Sequence, residues 1–596
     1  MITGQAPEEI IQLGEQLFEK GQYAQAIEQY DLALKAGALP VPVLRRKTEA
    51  LLALGEYQAA LDGYDRILSV EPNDLAARTA KGEILTSLDR HEEALASYTR
   101  ALERDGDYFP ALSGKALALA GLGRYTDALA VCDRALELRP KDLAMLINKG
   151  DYLVATGNPS EALQWYEKAA AADPSLFTAV EWSARGDRLY NEGNPAAALP
   201  FYDKAIATDS SYFWAWRGRG LALGSNPSRR QEALACFEHA IQIEPNNSWL
   251  WVDKGNVYFI QKDYARATEC YEKALEIDPK YIYAWLNKGV VLETAEEYEA
   301  AIQTYEKALE LDANNSVGWL GKGNCLIELG RYQESIQCSE RVIELAPKLM
   351  WGYNNKGGAL YKLGKLNEAL DWLNRALELD PKEAVPWNNK VRVLMELGQD
   401  AEVSQCLQQA ATAVTDHAAI LEMYGVFYAE RKFDPEKALD YYQQVAELAP
   451  DNSSVKGAIA ECLVVLGRYP QARQHATQLD TPASPVKLRC VMRFLILTSY
   501  ALEGNTQARA REMEVFLDRY RAWQEEARRG RLWSWVYWGL SNAIRKTSAD
   551  AETKFLLFAL IDLQEGKSSF PSLAFLDVAG PVEATSSATT SVARNA

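Results

Sequence analysis

The chain has 596 residues, with 64 Lys or Arg against 82 Asp or Glu, so its formal net charge is −18 at pH 7. Its 48% hydrophobic and 24% charged residues are those of a folded soluble protein, and the acidic balance argues against a general binder of nucleic acid or anionic membrane, both of which need dense Lys/Arg surfaces. Eight cysteines without a C-x-x-C make no disulfide framework, Met1 to Gln12 carries no signal-peptide pattern, and no apolar run reaches the ~18 residues that span a bilayer, so a reduced, cytoplasmic chain without membrane insertion is expected.

In chain order the dominant feature is a period. An alanine recurs at Ala26, Ala60, Ala94, Ala128, Ala162, Ala198, Ala233, Ala267 and Ala301, and continues as Ser335, Ala369, Val403, Ala438 and Ala472, mostly in steps of 34 residues. An aromatic follows four residues later in most copies, as at Tyr30, Tyr98, Tyr166, Tyr202, Tyr271, Tyr305 and Tyr442. A glycine stands twelve residues before the alanine at Gly14, Gly82, Gly150, Gly186, Gly255, Gly289, Gly323 and Gly357. Tryptophan precedes that glycine by four at Trp182, Trp251, Trp285 and Trp319, and proline closes many copies, as at Pro279 and Pro381. Apolar residues within each copy fall at helical spacing on either side of a short Gly/Asn/Asp/Glu turn, which predicts two helices per copy. One such pair cannot bury its apolar face alone, so stacking is required. Length alone suggests about four domains; the period makes most of the chain one array.

This pattern resembles the tetratricopeptide repeat, W-x2-L-G-x2-Y…A-x3-F…P over 34 residues, with Lys or Arg in place of the Leu. The resemblance covers residues 8–480 in about 13–14 copies and implies an all-α fold: a right-handed α-solenoid superhelix of stacked antiparallel helix pairs. Residues 481–579 are expected to form a degenerate repeat and a helical cap over the last open face, and 580–596 a disordered tail. Between 517 and 545 lie Arg519, Arg521, Arg528, Arg529 and Arg531 with Trp523, Trp533, Trp535 and Trp538. That stretch reads as the cap, or as an Arg/Trp patch for a membrane surface or nucleic acid.

No catalytic constellation is visible: there is no phosphate-binding G-x-x-x-x-G-K-[ST], no H-E-x-x-H and no G-x-S-x-G. No enzyme activity, cofactor or metal is therefore expected. His91 reads as a solvated turn residue, and Cys236, Cys270, Cys338 and Cys406, which share one repeat position, read as small core residues.

Two rows repeat with the period. Lys47, Lys81, Lys115, Lys149, Arg185, Arg219, Lys254, Lys288, Lys322, Lys356 and Lys390 directly precede the glycine position. Acids such as Asp65, Asp133, Glu167, Asp203, Glu272, Glu306 and Glu340 follow the alanine, failing at Thr99 and Asn374. These rows predict either a ladder of ion pairs between helices or a basic stripe for an anionic ligand; eleven equal copies favour the ladder. In the repeat family the first helix of each pair lines the concave groove, and the resemblance implies the same here. Trp214, Trp249, Tyr283 and Trp351 stand two residues before the tryptophan position, with Asn256, Asn287, Asn324, Asn354, Asn355, Asn388 and Asn389 nearby. Aromatics supply anchor area and asparagine can both donate to and accept from a peptide backbone, so these residues are candidates for a partner-binding groove; the alternative is that the aromatics pack against the adjoining repeat. The expected function is a non-catalytic scaffold that binds an extended peptide or partner segment. The alternatives are an accessory or substrate-recruiting subunit of an enzyme complex, and a co-chaperone adaptor.

Overall fold

The computed structural model describes residues 6–481, 484, 486–527 and 557. Helix follows helix, with no strand among the described residues. Fourteen antiparallel pairs run from Pro7–Glu19 with Tyr23–Lys35 to Ser453–Val465 with Tyr469–Leu479, and the longer helices Val486–Glu503 and Thr506–Ala527 form a last pair. The chain divides into two units, Met1–Asn246 and Asn247–Ala596. Among the described residues no helix is long and apolar enough to cross a membrane. The Arg/Trp-rich stretch from Arg528 onward and the tail from 580 lie outside the described residues.

The helices begin and end where local chemistry dictates. Asn315 accepts from the Gly318 amide (3.0 Å) and Asp263 from the Arg266 amide (3.1 Å), each capping a helix start. Within the pair 316–345 the first helix closes on Gly330 at φ +75°, with the Arg331 amide donating to the Leu326 carbonyl at 2.8 Å, as a left-handed helix terminus requires. Between pairs, the indole Nε1 of Trp285, Trp319 and Trp387 donates to a carbonyl six residues earlier, at Pro279, Ala313 and Pro381 (2.8–2.9 Å). The signature tryptophan thus ties down the turn that leads into its own helix.

The core is built from the repeated spacing of glycine and aromatic. Tyr30, Tyr98, Tyr166, Tyr202, Tyr271 and Tyr305 are among the largest fully buried side chains. Each lies against the glycine of its own first helix: a Cβ on Gly289 would come within 2.6 Å of the Tyr305 ring, and one on Gly255 within 2.6 Å of Tyr271. The first helix of the following pair closes on the same ring, where a Cβ on Gly321 would meet Tyr305 at 2.3 Å. The absence of a side chain at both points is what lets three helices share one ring.

The basic row is a ladder between helices. Lys47 bonds Asp31 at 2.6 Å, and Arg219 bonds Asp203, Lys288 Glu272, Lys322 Glu306 and Lys356 Glu340, each at 2.7 Å; Lys81 pairs with Asp65 and Lys149 with Asp133 in the same way. Every rung joins a first helix to the second helix of the preceding pair. No acid stands opposite Lys115 or Lys390, where Thr99 and Asn374 take its place, and the ladder also breaks where the period does. The connection carrying the 3-10 turn Pro174–Leu176 shifts the register, so Arg185 turns to Glu181 and to the rings of Tyr166 and Phe177, while Glu167 pairs with Lys204 at 2.5 Å. The Lys288 and Glu272 side chains are 21% and 50% exposed, a setting in which an ion pair contributes ~0.2–1 kcal/mol. Lys288→Met is therefore expected to move the urea midpoint by no more than about 1 kcal/mol of stability; a larger loss would show that the row supplies more than register.

All eight cysteines are free and buried, and the four at the shared position pack as core. Burial pushes the Cys338 and Cys406 thiols up to about 11, which keeps them protonated. His91 departs from expectation. It opens the helix His91–Leu102 with a half-buried ring facing Gly121, where a Cβ would lie 2.5 Å from its Nε2, so it packs between pairs rather than standing in solvent.

Candidate partner-binding groove

In the second unit the first helices Ser248–Ile260, Ile282–Thr294, Ser316–Glu328, Met350–Lys362, Ala384–Glu396 and His417–Val426 each touch the next, whereas the second helices approach one another less closely. Helices that approach on one side and spread on the other curve the stack, and the first helices line its inner side.

The position two residues before the signature tryptophan forms an apolar row along this inner side. Trp249 is 47% exposed, Tyr283 65%, Val317 52% and Val385 43%, with Trp351 half-buried between the two valines. The Tyr281 ring lies edge-on to Tyr283 at 5.8 Å. Val317 and Val385 escape notice in the sequence because exposed valines are common; the 34-residue register alone identifies them. Trp214 holds the same register position in the first unit, half-buried against Phe213 at 4.7 Å.

The asparagines stand three, four or seven residues beyond that row, on the same helical face. Instead of projecting freely, most of their amides join neighbouring first helices. Asn256 accepts from the Tyr271 hydroxyl (2.8 Å) and from Asn287 (3.0 Å). Asn324 donates to Glu293 (3.1 Å) and accepts from Asn355, which in turn accepts from Asn354 (3.2 Å), and Asn389 donates to Asn354 (2.9 Å). Asn354 and Asn355 are buried, at 5% and 7% exposure. An amide that carries both a donor and an acceptor can satisfy a like amide on the next helix, and here the chain of asparagines does so. The Asn388 side chain, half-buried, makes no hydrogen bond among the described residues and keeps its full capacity.

Glu293 belongs to this polar chain although the sequence did not single it out. It accepts from the Tyr305 hydroxyl at 2.7 Å as well as from Asn324. Burial raises its pKa, and these two hydrogen bonds oppose the rise. Burial likewise raises Glu422, which accepts from Asn452 at 3.1 Å, and Glu430.

Stacked helix pairs with a repeated inner row define a solenoid of the protein-interaction class. Tetratricopeptide repeat models match residues 46–109, 113–176, 248–281, 282–315, 316–382 and 431–481, together more than half of the chain. The chain belongs to the tetratricopeptide repeat family. No curated protein matches it. Among solved structures it is similar to yeast Tom70, at 16% identity over 68% of this chain and 96% of that one, with a TM-score of 0.34. It is similar also to the APC/C hetero-tetramer Cut9–Hcn1, at 15% identity over 77% and 96% (TM-score 0.35), and to a thermophilic repeat protein of Thermus thermophilus, at 22% over 31% and 99% (TM-score 0.29). Family membership rests on the repeat matches and the helix pairs, not on these overlaps.

Proposed function

We propose that the chain is a non-catalytic scaffold whose second unit holds an extended segment of a protein partner against the inner row. The observation that carries this reading is the row itself: Trp249, Tyr283, Val317 and Val385, exposed and in register along successive first helices. Exposed aromatic and aliphatic area repeated at fixed spacing supports multi-point docking on a rigid surface, which avoids much of the ordering cost of binding. The asparagine chain stiffens that surface, and Asn388 remains open to a partner's backbone. The eight free, buried thiols support a reducing, cytoplasmic setting.

Affinity capture with the full chain and with Trp249→Ala/Tyr283→Ala tests the reading. Tyr283 is 65% and Trp249 47% exposed, so neither substitution empties a core site; the double variant is expected to stay folded, checked by its melting curve, and to lose its captured partners. Identical captured proteins with both baits would remove the groove reading. One stoichiometric enzyme kept by the double variant but lost on truncation after residue 480 would favour the accessory-subunit reading; a general chaperone would favour the adaptor.

A further inference from the structure

The inner face of the second unit has a second edge. Eleven residues beyond the apolar row, three helical turns along the same face, stand Glu328, Lys362, Glu396 and Glu430, again in steps of 34. Glu328 and Glu396 are exposed and Glu430 is half-buried. At 1.5 Å per residue the two edges lie about 16 Å apart. Glu293 adds a carboxylate one residue before this register position. The first helices run parallel, so their negative C-terminal ends all fall on this edge. The last turns of Ile282–Thr294, Ser316–Glu328 and Ala384–Glu396 contain no basic residue to offset them. Against these charges stand Lys362 and Arg392, which also faces Glu422 and Glu430, while Arg431 and Lys432 bond Asp400, with Arg431 lying against Gly398 just beyond Ala384–Glu396.

We infer that the groove selects a protein segment bearing apolar side chains along one side and Lys or Arg along the other. This rests on the scaffold reading above and names the chemistry of its partner. The apolar edge would receive the hydrophobic side chains, and long basic side chains would reach the carboxylates and the helix ends across the face. Charge complementarity decides the occupant: an acidic segment would set its carboxylates against like charges and uncompensated dipoles, which costs affinity and slows encounter. The chain's net charge of −18 acts in the same sense over longer distances.

Selection of random 15-residue peptides displayed on phage, with the immobilised full chain as bait, tests this. The enriched peptides are expected to combine Lys or Arg with Leu, Ile or aromatics and to be depleted of Asp and Glu. An enriched basic peptide should bind Glu328→Gln/Glu396→Gln/Glu430→Gln about tenfold more weakly, and should weaken further with added salt. If Glu430→Gln disturbs its turn, the exposed pair Glu328→Gln/Glu396→Gln gives the same readout. Enrichment of acidic or uncharged peptides, or basic peptides that bind the glutamine variants unchanged, would overturn the inference. If uncharged peptides bind and are lost in Trp249→Ala/Tyr283→Ala, the groove stands and only its basic preference fails. Enrichment that depends on neither set of residues, or no enrichment at all, counts against both.

Discussion

Tyr305→Ala is expected to cost about 3–5 kcal/mol, the range for emptying a fully buried aromatic site. The ring is wholly buried and fills the space left open by Gly289 and Gly321, and its hydroxyl donates to Glu293. Truncation removes the packing of three helices and also strips a half-buried carboxylate of one of its two donors, a loss of the kind that is costly in itself. In a stack whose stability is a sum of nearest-neighbour terms, the damage should stay local. Hydrogen exchange is expected to show lost protection across Ile282–Thr294, Tyr298–Leu311 and Ser316–Glu328, with Pro7–Glu19 to Tyr125–Leu138 unchanged. Uniform loss of protection along the chain would contradict the local account. Gly321→Leu attacks the same joint from the other side, since even its Cβ would lie 2.3 Å from the ring.

Asp480→Ala is expected to be comparably severe for the last helix pair. The carboxylate is 1% exposed and lies among three guanidinium groups: Arg493 at 2.5 Å, Arg489 at 3.2 Å and Arg519 at 3.6 Å. Glu512 offers a second carboxylate to Arg493, at 3.1 Å. Removing one side of a buried ionic cluster leaves uncompensated charge, at about 3–5 kcal/mol. Trypsin reads the result, because the arginines themselves are its sites: cleavage after Arg489, Arg493 and Arg519 is expected to accelerate while cleavage in the earlier repeats stays at the parent rate. An unchanged rate at those three sites would show that the cluster does not hold the pair.

The sequence carries the fold in its register. Gly289 and Tyr305, sixteen residues apart, predict a helix pair before any contact is seen, and Lys288 with Glu272, also sixteen apart, predicts the rung that joins it to the preceding pair. Both are legible because each depends on one short-range geometry repeated many times. The register fails where the chain adds residues: Arg185 should have found an acid sixteen residues back, and the turn at Pro174–Leu176 moves it out of reach. The site was only half legible. The register placed the asparagines on first helices, as candidates for the groove, but could not tell that Asn354 and Asn355 would be buried in hydrogen bonds to each other and to Asn389 and Asn324, since an amide suits a peptide and another amide equally. Val317 and Val385 were missed because their meaning lies in position and not in residue type. Asp480 was missed because the signature decays there, and nothing in the local sequence marks a carboxylate that three distant arginines will enclose.

The central claim is that partners dock on the inner row, and site-specific photocrosslinking reads it directly. The photoreactive residue p-benzoylphenylalanine is placed at Tyr283, on the inner face, or at Gln303, exposed on the second helix Tyr298–Leu311, in the otherwise unchanged full chain. On irradiation with partner present, crosslinks to another polypeptide are predicted at 283 and not at 303. Crosslinks at 303 with none at 283 would contradict the claim.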